Sequence, residues 1–219
     1  MKRLNYKNFW KRILDLLLVL VILIILSPFL IIIAILIRGK MGSPILFTQD
    51  RLGYEGKVFK IFKFRSMTNT QDENGDLMSD DYRLTAFGKF LRTWSIDELP
   101  QLWNIIIGDM SLIGPRPLVA EYKQKYSSKQ MRRHEVRPGI SGWSQVTGRN
   151  TVSWNKKFIR DVWYVDNCSL RLDLKILLYT IPLVLMRAGI AAENHVTMPT
   201  WEGNRNKKEP SASKDNDTA

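Results

Sequence analysis

The residues from Leu16 to Ile37 read LLLVLVILIILSPFLIIIAILI, and this run decides how the chain relates to a membrane. Its 22 helical positions, at about 1.5 Å of rise each, extend roughly 33 Å, enough for a hydrocarbon core of about 30 Å. Ser27 and Pro28 interrupt it, because proline lacks an N–H and its ring clashes with the carbonyl of Ile24. We expect a bend there, with the Ser27 hydroxyl bonding back to the carbonyls left free.

Basic residues flank this run on both sides. Those before it are Lys2, Arg3, Lys7, Lys11 and Arg12, and those after it are Arg38, Lys40, Arg51, Lys57, Lys60 and Lys63. Because basic flanks stay on the cytoplasmic side of a membrane, this pattern favours a re-entrant hairpin that enters the bilayer and returns. The alternative is a spanning helix kinked at Pro28. A cleaved signal peptide is disfavoured, since the run is too long and no small-residue cleavage site follows.

Composition predicts a membrane anchor followed by one domain. The 219 residues divide into a re-entrant anchor over 1–40, a compact domain over 41–203 and a polar tail over 204–219, which we expect to be disordered. The net charge of +12 lies in the first 200 residues, because residues 201–219 contain four basic and four acidic side chains. Such a charge suits an anionic membrane surface, a phosphorylated substrate or a nucleic acid. The single Cys168 excludes an internal disulfide.

The rest of the pattern predicts an α+β, mostly helical domain. Two apolar stretches, SPILFTQDRLG and KVFKIFKFRSM, are joined through Gly53 and Gly56 and predict a small β-hairpin. Amphipathic helices are expected around residues 87–94 and 154–165, and a last apolar helix contains Pro182. We expect this last helix to pack on the core or lie at the membrane interface. The glycine-rich stretch VRPGISGWSQVTGRN is typical of a loop.

The segment SIDELPQLWNIIIGDM, residues 95–110, is the most informative. Ser95 and Glu98 match a capping box, but a helix that begins at Ser95 would place Pro100 where its missing N–H breaks a bond. A helix that begins at Asp97 avoids this conflict and ends at Gly108. Its predicted buried stripe consists of Leu99, Leu102, Trp103 and Ile106.

Adjacent Asp97 and Glu98 are the candidate reactive pair. Acidic residues at a helix start can simply favour the helix dipole, but neighbouring side chains point differently and can take separate roles. One carboxylate can attack or bind a metal while the other handles a proton. The candidate phosphate ligands are basic residues close to the pair or flanked by glycine or proline: Lys63, Arg92, Arg116, Arg137 and Arg149.

Other chemistries have little support in the sequence. The two histidines, His134 and His195, lie far apart and have no cysteine partners for a zinc site. No Walker loop, dinucleotide-binding glycine pattern or Gly-x-Ser-x-Gly motif is present. Carboxylates acting on phosphates predict a hard cation, and Mg²⁺ held at Asp97 and Glu98 is expected first.

Several motifs in order resemble the bacterial sugar transferases, the small monotopic polyprenol-phosphate phosphoglycosyl transferases. From Lys11 to Gly203 these motifs are KRILD, the Ser27-Pro28 pair, KFRSM, SIDELPQLWN, GDMSLIGPRP, RPGISGWSQVTGRN and HVTM. The resemblance implies that Asp97 attacks the β-phosphorus of a UDP-sugar, releases UMP and holds a phosphosugar until polyprenol phosphate takes it. It also implies that Glu98 activates the lipid phosphate or binds Mg²⁺, and that Arg92, Arg116 and Arg149 bind phosphates.

The same resemblance implies a monotopic protein of the bacterial inner membrane, with its catalytic domain facing the cytoplasm. The expected partners are a UDP-sugar, undecaprenyl phosphate or a similar polyprenol phosphate, the lipid bilayer and other glycan-assembly enzymes, but no nucleic acid. Two alternatives remain from the residues alone. The +12 charge also suits a membrane-tethered nucleic-acid binder, and the acidic pair also suits a scaffold in which it only caps a helix.

Overall fold

A computed structural model describes residues 6–148, 152–185 and 201–203. In these ranges the helices are α1 (Lys11–Met41), α2 (Asp80–Arg83), α3 (Ala86–Thr93), α4 (Gln101–Ile107), α5 (Ser128–Met131), α6 (Trp143–Gly148), α7 (Trp154–Asn167) and α8 (Leu170–Leu185). The strands are β1 (Leu46–Leu52), β2 (Val58–Phe64), β3 (Ser111–Ile113) and β4 (Gly139–Ser141). Short 3-10 turns cover Tyr54–Gly56, Ile96–Glu98, Ala120–Lys125 and Arg132–Glu135, and a π-helical turn covers Tyr6–Trp10. The fold is the predicted mostly helical α+β class, with small sheets and one long apolar N-terminal helix.

The apolar run lies within α1, which continues through Pro28. The Ser27 hydroxyl donates to the Ile24 carbonyl at 3.0 Å, as predicted, so the carbonyl that Pro28 cannot bond has a donor. Within the described residues, α1 is the one helix long and apolar enough to cross a membrane. Because α1 is continuous through Pro28, the re-entrant hairpin remains a prediction.

Both ends of α1 pack against the same domain, while its middle is exposed. Val19, near the start, is fully buried in a cluster with Phe59 and Ile105. Ile37, near the end, is fully buried in a second cluster with Phe64 and Leu91. The exposed residues between them include Leu20, Val21, Ile24, Ile25, Phe29, Ile31 and Ile32. The two ends are therefore docked, and the apolar middle is left without protein cover.

Buried polar contacts fix the first turns of α1. Lys11 Nζ lies 2.6 Å from Asp173 Oδ2 of α8, and the Tyr6 hydroxyl donates to the same oxygen at 2.6 Å. One turn later, Asp15 accepts a hydrogen bond of 2.6 Å from the Ser111 hydroxyl of β3. Since buried charges are costly unless they are paired, these contacts hold the start of α1 to α8 and β3.

The predicted β-hairpin is confirmed. Strands β1 and β2 are antiparallel, with Phe47 opposite Lys63 and Arg51 opposite Phe59. Directly opposed residues share a face of the sheet, so Arg51 and Lys63 lie on the same face.

The prediction that residues 136–150 form a loop is wrong, because this stretch contains β4 and α6. Strand β4 pairs in parallel with β3. The glycines there allow two backbones to approach: a Cβ on Gly139 would lie 2.1 Å from the Gly114 nitrogen. Glycine in this segment therefore marks close strand pairing rather than a flexible connection.

Both of the last two predicted helices form, and α7 follows its predicted periodicity. In α7, Phe158, Val162 and Val165 are buried. In α8, Ile176 is fully buried, whereas Leu174 and Leu178 are exposed. Helix α8 therefore packs one face on the core and leaves an apolar face uncovered.

Candidate active site

The acidic pair lies on a turn before α4. Ile96–Glu98 is a single 3-10 turn, and α4 begins at Gln101 with Pro100 as its N-cap residue. The prediction of a helix beginning at Asp97 is therefore wrong by about one turn. Ser95 adopts a left-handed conformation (φ 54°), which separates this turn from α3. Gly108 ends α4 with φ 102°, as predicted.

Helix α4 packs against strand β2 through the face that carries Asn104. Asn104 is fully buried, accepts from the Phe62 amide at 3.0 Å and donates to the Lys60 carbonyl at 2.8 Å. The predicted stripe was correct for Leu102 but wrong for Trp103, which is 55% exposed. The apolar pattern missed Asn104 because a buried amide gives no hydrophobic signal. The Asn104 side chain fixes α4 against β2. It thereby holds the preceding acidic turn beside Lys63.

Glu98 lies between two cations. Its Oε1 is 2.7 Å from Lys63 Nζ and 2.5 Å from Arg116 Nη2, and its Oε2 accepts from Arg116 Nη1 at 3.3 Å. Burial alone would raise the pKa of Glu98, but the charges and hydrogen bonds of Arg116 and Lys63 outweigh it and hold the pKa well below its usual range. Glu98 is therefore an ionised carboxylate that holds two cations in place.

Asp97 has a different environment. It is only 8% exposed. Burial and then the charge of Glu98 raise the pKa of Asp97 to about 6, although Lys63, Arg92 and Arg116 act in the opposite direction. In the described part of the chain its carboxylate has no hydrogen-bond partner, and its oxygens are not among the fully enclosed unpaired atoms. Asp97 is thus an unpaired, reachable carboxylate in a field of positive charge.

Arg92 is directed by the close packing of α3. Its Nε donates to the Ser66 hydroxyl at 2.9 Å, immediately after β2. A Cβ on Gly88 would lie 1.8 Å from the Ser66 carbonyl, so only glycine allows α3 to sit this close. This packing places Arg92 near enough to Asp97 to affect its titration.

Arg116 is presented by a braced loop. Pro115 and Pro117 flank it, and its carbonyl accepts a hydrogen bond of 2.7 Å from Arg133 Nη2. Arg133 is itself buried and paired with Asp161 at 2.8 Å. The backbone of Arg116 is therefore held independently of its side chain.

The remaining predicted ligands are not joined to this cluster by any described contact. Arg137 donates through Nε to the Gly108 carbonyl at 2.9 Å and lies over the Tyr54 ring, at the far end of α4 from Asp97. Arg149 lies outside the described residues. Arg51, which the sequence identifies only as a basic residue that follows the apolar run, lies on the same face of the hairpin as Lys63.

The magnesium ion expected at the acidic pair would have to be shared with a substrate. Mg²⁺ usually binds through one or two carboxylates, substrate phosphates and water. Asp97 has oxygens available for this, whereas both Glu98 oxygens are already bonded to cations. The described residues contain no group of three or more His, Cys, Asp or Glu side chains that could hold a metal. Any such ion would therefore depend on phosphate oxygens for part of its coordination.

The chain matches one family model and is similar to several known proteins. The model of the family described as "Bacterial sugar transferase" matches residues 6–187. The "Uncharacterized sugar transferase EpsL" of Bacillus subtilis is 50% identical over 193 residues, covering 88% of this chain and 96% of that protein. "Exopolysaccharide production protein ExoY" of Sinorhizobium fredii is 38% identical, covering 82% of this chain and 87% of that protein.

A longer relative matches this chain over less than half of its own length. The "UDP-glucose:undecaprenyl-phosphate glucose-1-phosphate transferase" of Klebsiella pneumoniae is 39% identical over 78% of this chain, which spans 39% of that protein. The family model covers most of the present chain, including every described residue of the acidic and basic cluster. The chain therefore belongs to the bacterial sugar transferase family.

Proposed function

We propose that this protein transfers a sugar 1-phosphate from a UDP-sugar to undecaprenyl phosphate, or a similar polyprenol phosphate, and releases UMP. The Klebsiella pneumoniae relative, whose name gives UDP-glucose, undecaprenyl phosphate and glucose-1-phosphate transfer, supports a phosphoglycosyl transferase. The observation that carries the mechanism is the unpaired Asp97 carboxylate, surrounded by Lys63, Arg92 and Arg116. Phosphoryl transfer depends mainly on positioning and charge neutralisation, which this arrangement supplies.

In the first step an Asp97 oxygen attacks the β-phosphorus, to which the sugar is attached. The bond from this phosphorus to the bridging oxygen breaks, and UMP leaves with the electron pair. Asp97 then holds the phosphosugar as an acyl phosphate. Arg92 and Arg116 are assigned to the phosphate oxygens, where they neutralise the charge that develops.

In the second step a phosphate oxygen of the lipid attacks the same phosphorus. The acyl phosphate bond breaks, the Asp97 carboxylate is restored, and a polyprenyl diphosphate sugar forms. Because the pKa of Glu98 is held low, this residue is a weak base. We assign it the task of holding Lys63 and Arg116 beside the phosphates.

Mg²⁺ is proposed as the cofactor. Of the expected ligands Asp97 and Glu98, Asp97 would hold it, because both Glu98 oxygens are bonded to Lys63 and Arg116. When bound, it would neutralise negative charge on the phosphate oxygens.

The rate should depend on the ionisation of Asp97. Only the carboxylate attacks, and burial raises its pKa to about 6. We expect kcat/KM for the UDP-sugar to be constant above about pH 7 and to fall about tenfold per pH unit below about pH 6. Initial rates of UMP release between pH 5 and pH 9 test this expectation. A profile that stays flat down to pH 5 would contradict a raised pKa at the nucleophile.

We further propose that α1 is re-entrant, in the bacterial inner membrane, with the domain on the cytoplasmic face. Both ends of α1 are docked on one domain, its middle is apolar and exposed, and basic residues flank both ends. A helix that crossed a bilayer completely would carry one end away from that domain. The exposed apolar face of α8 would lie at the interface. This placement brings a lipid phosphate and a water-soluble donor to one site.

Replacement of Pro28 tests the re-entrant topology. We expect Pro28→Ala to straighten α1, because the restored N–H can bond the Ile24 carbonyl, and to move a fraction of N-termini across the membrane. The readout is labelling of a Lys2→Cys variant in intact cells by a membrane-impermeant thiol reagent, in a Cys168→Ala background. A cysteine at exposed Asn74 is the control and should stay unlabelled. Labelling of position 2 with Pro28 intact would contradict re-entry.

Detection of UMP tests the activity itself. The protein in detergent or nanodiscs, given Mg²⁺, undecaprenyl phosphate and a panel of UDP-sugars, should release UMP with at least one donor. A nucleic-acid binder would instead show salt-sensitive RNA or DNA binding without any need for Asp97. A scaffold would release no UMP.

A further inference from the structure

The side chain of Arg51 is incompletely paired beside the proposed site. Its Nη2 donates to the Gln49 amide oxygen at 2.5 Å, and its Nε is enclosed without a hydrogen-bond partner. No other hydrogen bond or ion pair of Arg51 exists in the described part of the chain, and its Nη1 is not among the enclosed atoms. A partly buried guanidinium with one neutral partner is unfavourable unless an anion pairs with its charge.

Two observations place Arg51 on the side of the hairpin that faces the acidic pair. Strand alternation places it on the face of the hairpin that also carries Lys63, which contacts Glu98. Its own backbone forms a bridge with Val119, three residues after Arg116, and the next amide, of Leu52, bonds the Leu118 carbonyl at 2.9 Å. The strand that carries Arg51 is thus attached directly to the segment that carries Arg116.

The positive and negative side chains around Arg51 and the acidic pair do not balance. Four cations lie close enough to the acidic pair for an electrostatic interaction with it: Lys63, Arg92, Arg116 and Arg51. These four cations face two carboxylates when Asp97 is ionised, which leaves an excess of two positive charges. A nucleotide diphosphate sugar carries two negative charges on its bridged phosphates. Lys63 and Arg116 are already bonded to Glu98, whereas Arg51 has an unused donor.

We infer that Arg51 binds the diphosphate of the UDP-sugar, at the α-phosphate that leaves as UMP. This inference rests on the proposed function and assigns a further residue to that reaction. A cation there would stabilise the negative charge that UMP acquires when the bridging bond breaks. The lipid phosphate reacts after UMP has left, so Arg51 should matter to the donor and not to the acceptor.

The test compares Arg51→Met with Lys60→Met. Methionine keeps much of the length of the arginine stem but removes the charge. Lys60 is the matched control, because it lies on the opposite face of the same hairpin and is 68% exposed. Three quantities are measured for each protein: KM for the UDP-sugar, KM for undecaprenyl phosphate, and the Kd for UMP by calorimetry.

For Arg51→Met we expect the UDP-sugar KM and the UMP Kd to rise about tenfold or more, while the lipid KM stays within about twofold. Lys60→Met should match the wild type in all three, and Arg51→Lys should recover part of the donor binding. The melting temperature of Arg51→Met should not fall, since the removed charge is unpaired.

Unchanged UMP and UDP-sugar binding in folded Arg51→Met would overturn the inference. A rise in the lipid KM alone would overturn it too, because Arg51 would then serve the acceptor. A lower melting temperature with unchanged constants would show a structural role and have the same consequence. If the wild type released no UMP from any donor, the proposed function would fail separately, and UMP binding would still test Arg51.

Discussion

Asp97→Asn should abolish transfer while leaving the protein folded. An amide cannot form the acyl phosphate, so we expect kcat to fall by roughly three orders of magnitude or more. The measurement is UMP release with saturating donor and lipid phosphate. Asp50→Asn provides the control, because Asp50 is an exposed carboxylate paired with Lys60 on the hairpin surface. Its activity should stay within about twofold of wild type.

The same variant should be at least as stable as the wild type near pH 8. Burial and the Glu98 charge raise the pKa of Asp97 to about 6, above about 3.9 in an unfolded chain. The ionised form of Asp97 therefore lowers the free energy of unfolding. This destabilisation is fully present above about pH 6 and absent below about pH 4. Asparagine removes this destabilisation. The melting temperature of Asp97→Asn minus that of the wild type should therefore be larger at pH 8 than at pH 4. Substantial activity in a folded Asp97→Asn would show that the pair is only a helix cap or metal ligand.

Arg116→Ala should cost roughly 10²-fold in kcat/KM, because the phosphates lose a cation that Glu98 holds in place. The fold should be affected much less. Pro115, Pro117 and the Arg133 contact to the Arg116 carbonyl hold the loop, and Lys63 still pairs with Glu98. Arg116→Lys should recover only part of the activity, since lysine lacks the planar fork. Kinetics and thermal melting of the same preparations measure both effects.

Arg132→Ala is the matched control for Arg116→Ala. Arg132 also bonds carboxylates, at Glu135 and Asp166, but on an exposed surface away from the acidic pair. Its removal should leave kcat/KM unchanged. If Arg116→Ala lost stability and activity in equal measure, Arg116 would be a structural residue and not a phosphate ligand.

The sequence predicted the elements whose signal is local. The β-hairpin, the helix around Phe158 and the end of α4 at Gly108 follow from alternation, helical spacing and a single glycine. The bond from Ser27 to the Ile24 carbonyl follows from the chemistry of proline in a helix. In the candidate site, Asp97, Glu98, Arg92, Arg116 and Lys63 come together as the spacing of charges and prolines suggested.

The features that the sequence did not predict depend on contacts between distant segments. Asn104 sits in an apolar helix, and only its bonds to β2 explain a buried amide there. Glycines at 139 and 142 indicated a loop because single-sequence patterns cannot distinguish flexibility from close backbone pairing. The Arg133–Asp161 pair that braces Arg116 joins residues 28 positions apart and leaves no periodic signal. The position of Arg51 depends on the pairing of β1 with β2 and on its bridge to Val119, and neither leaves a signal in the sequence around Arg51.

The most direct test of the account is the mass of the enzyme after it meets the donor alone. Incubation with Mg²⁺ and an accepted UDP-sugar, without lipid phosphate, should release about one UMP per active site and add one phosphosugar to the peptide that contains Asp97. Hydroxylamine should remove the adduct, undecaprenyl phosphate should discharge it, and Asp97→Asn should not form it. Turnover that requires both substrates before any UMP appears, with no adduct on Asp97, would contradict the covalent mechanism.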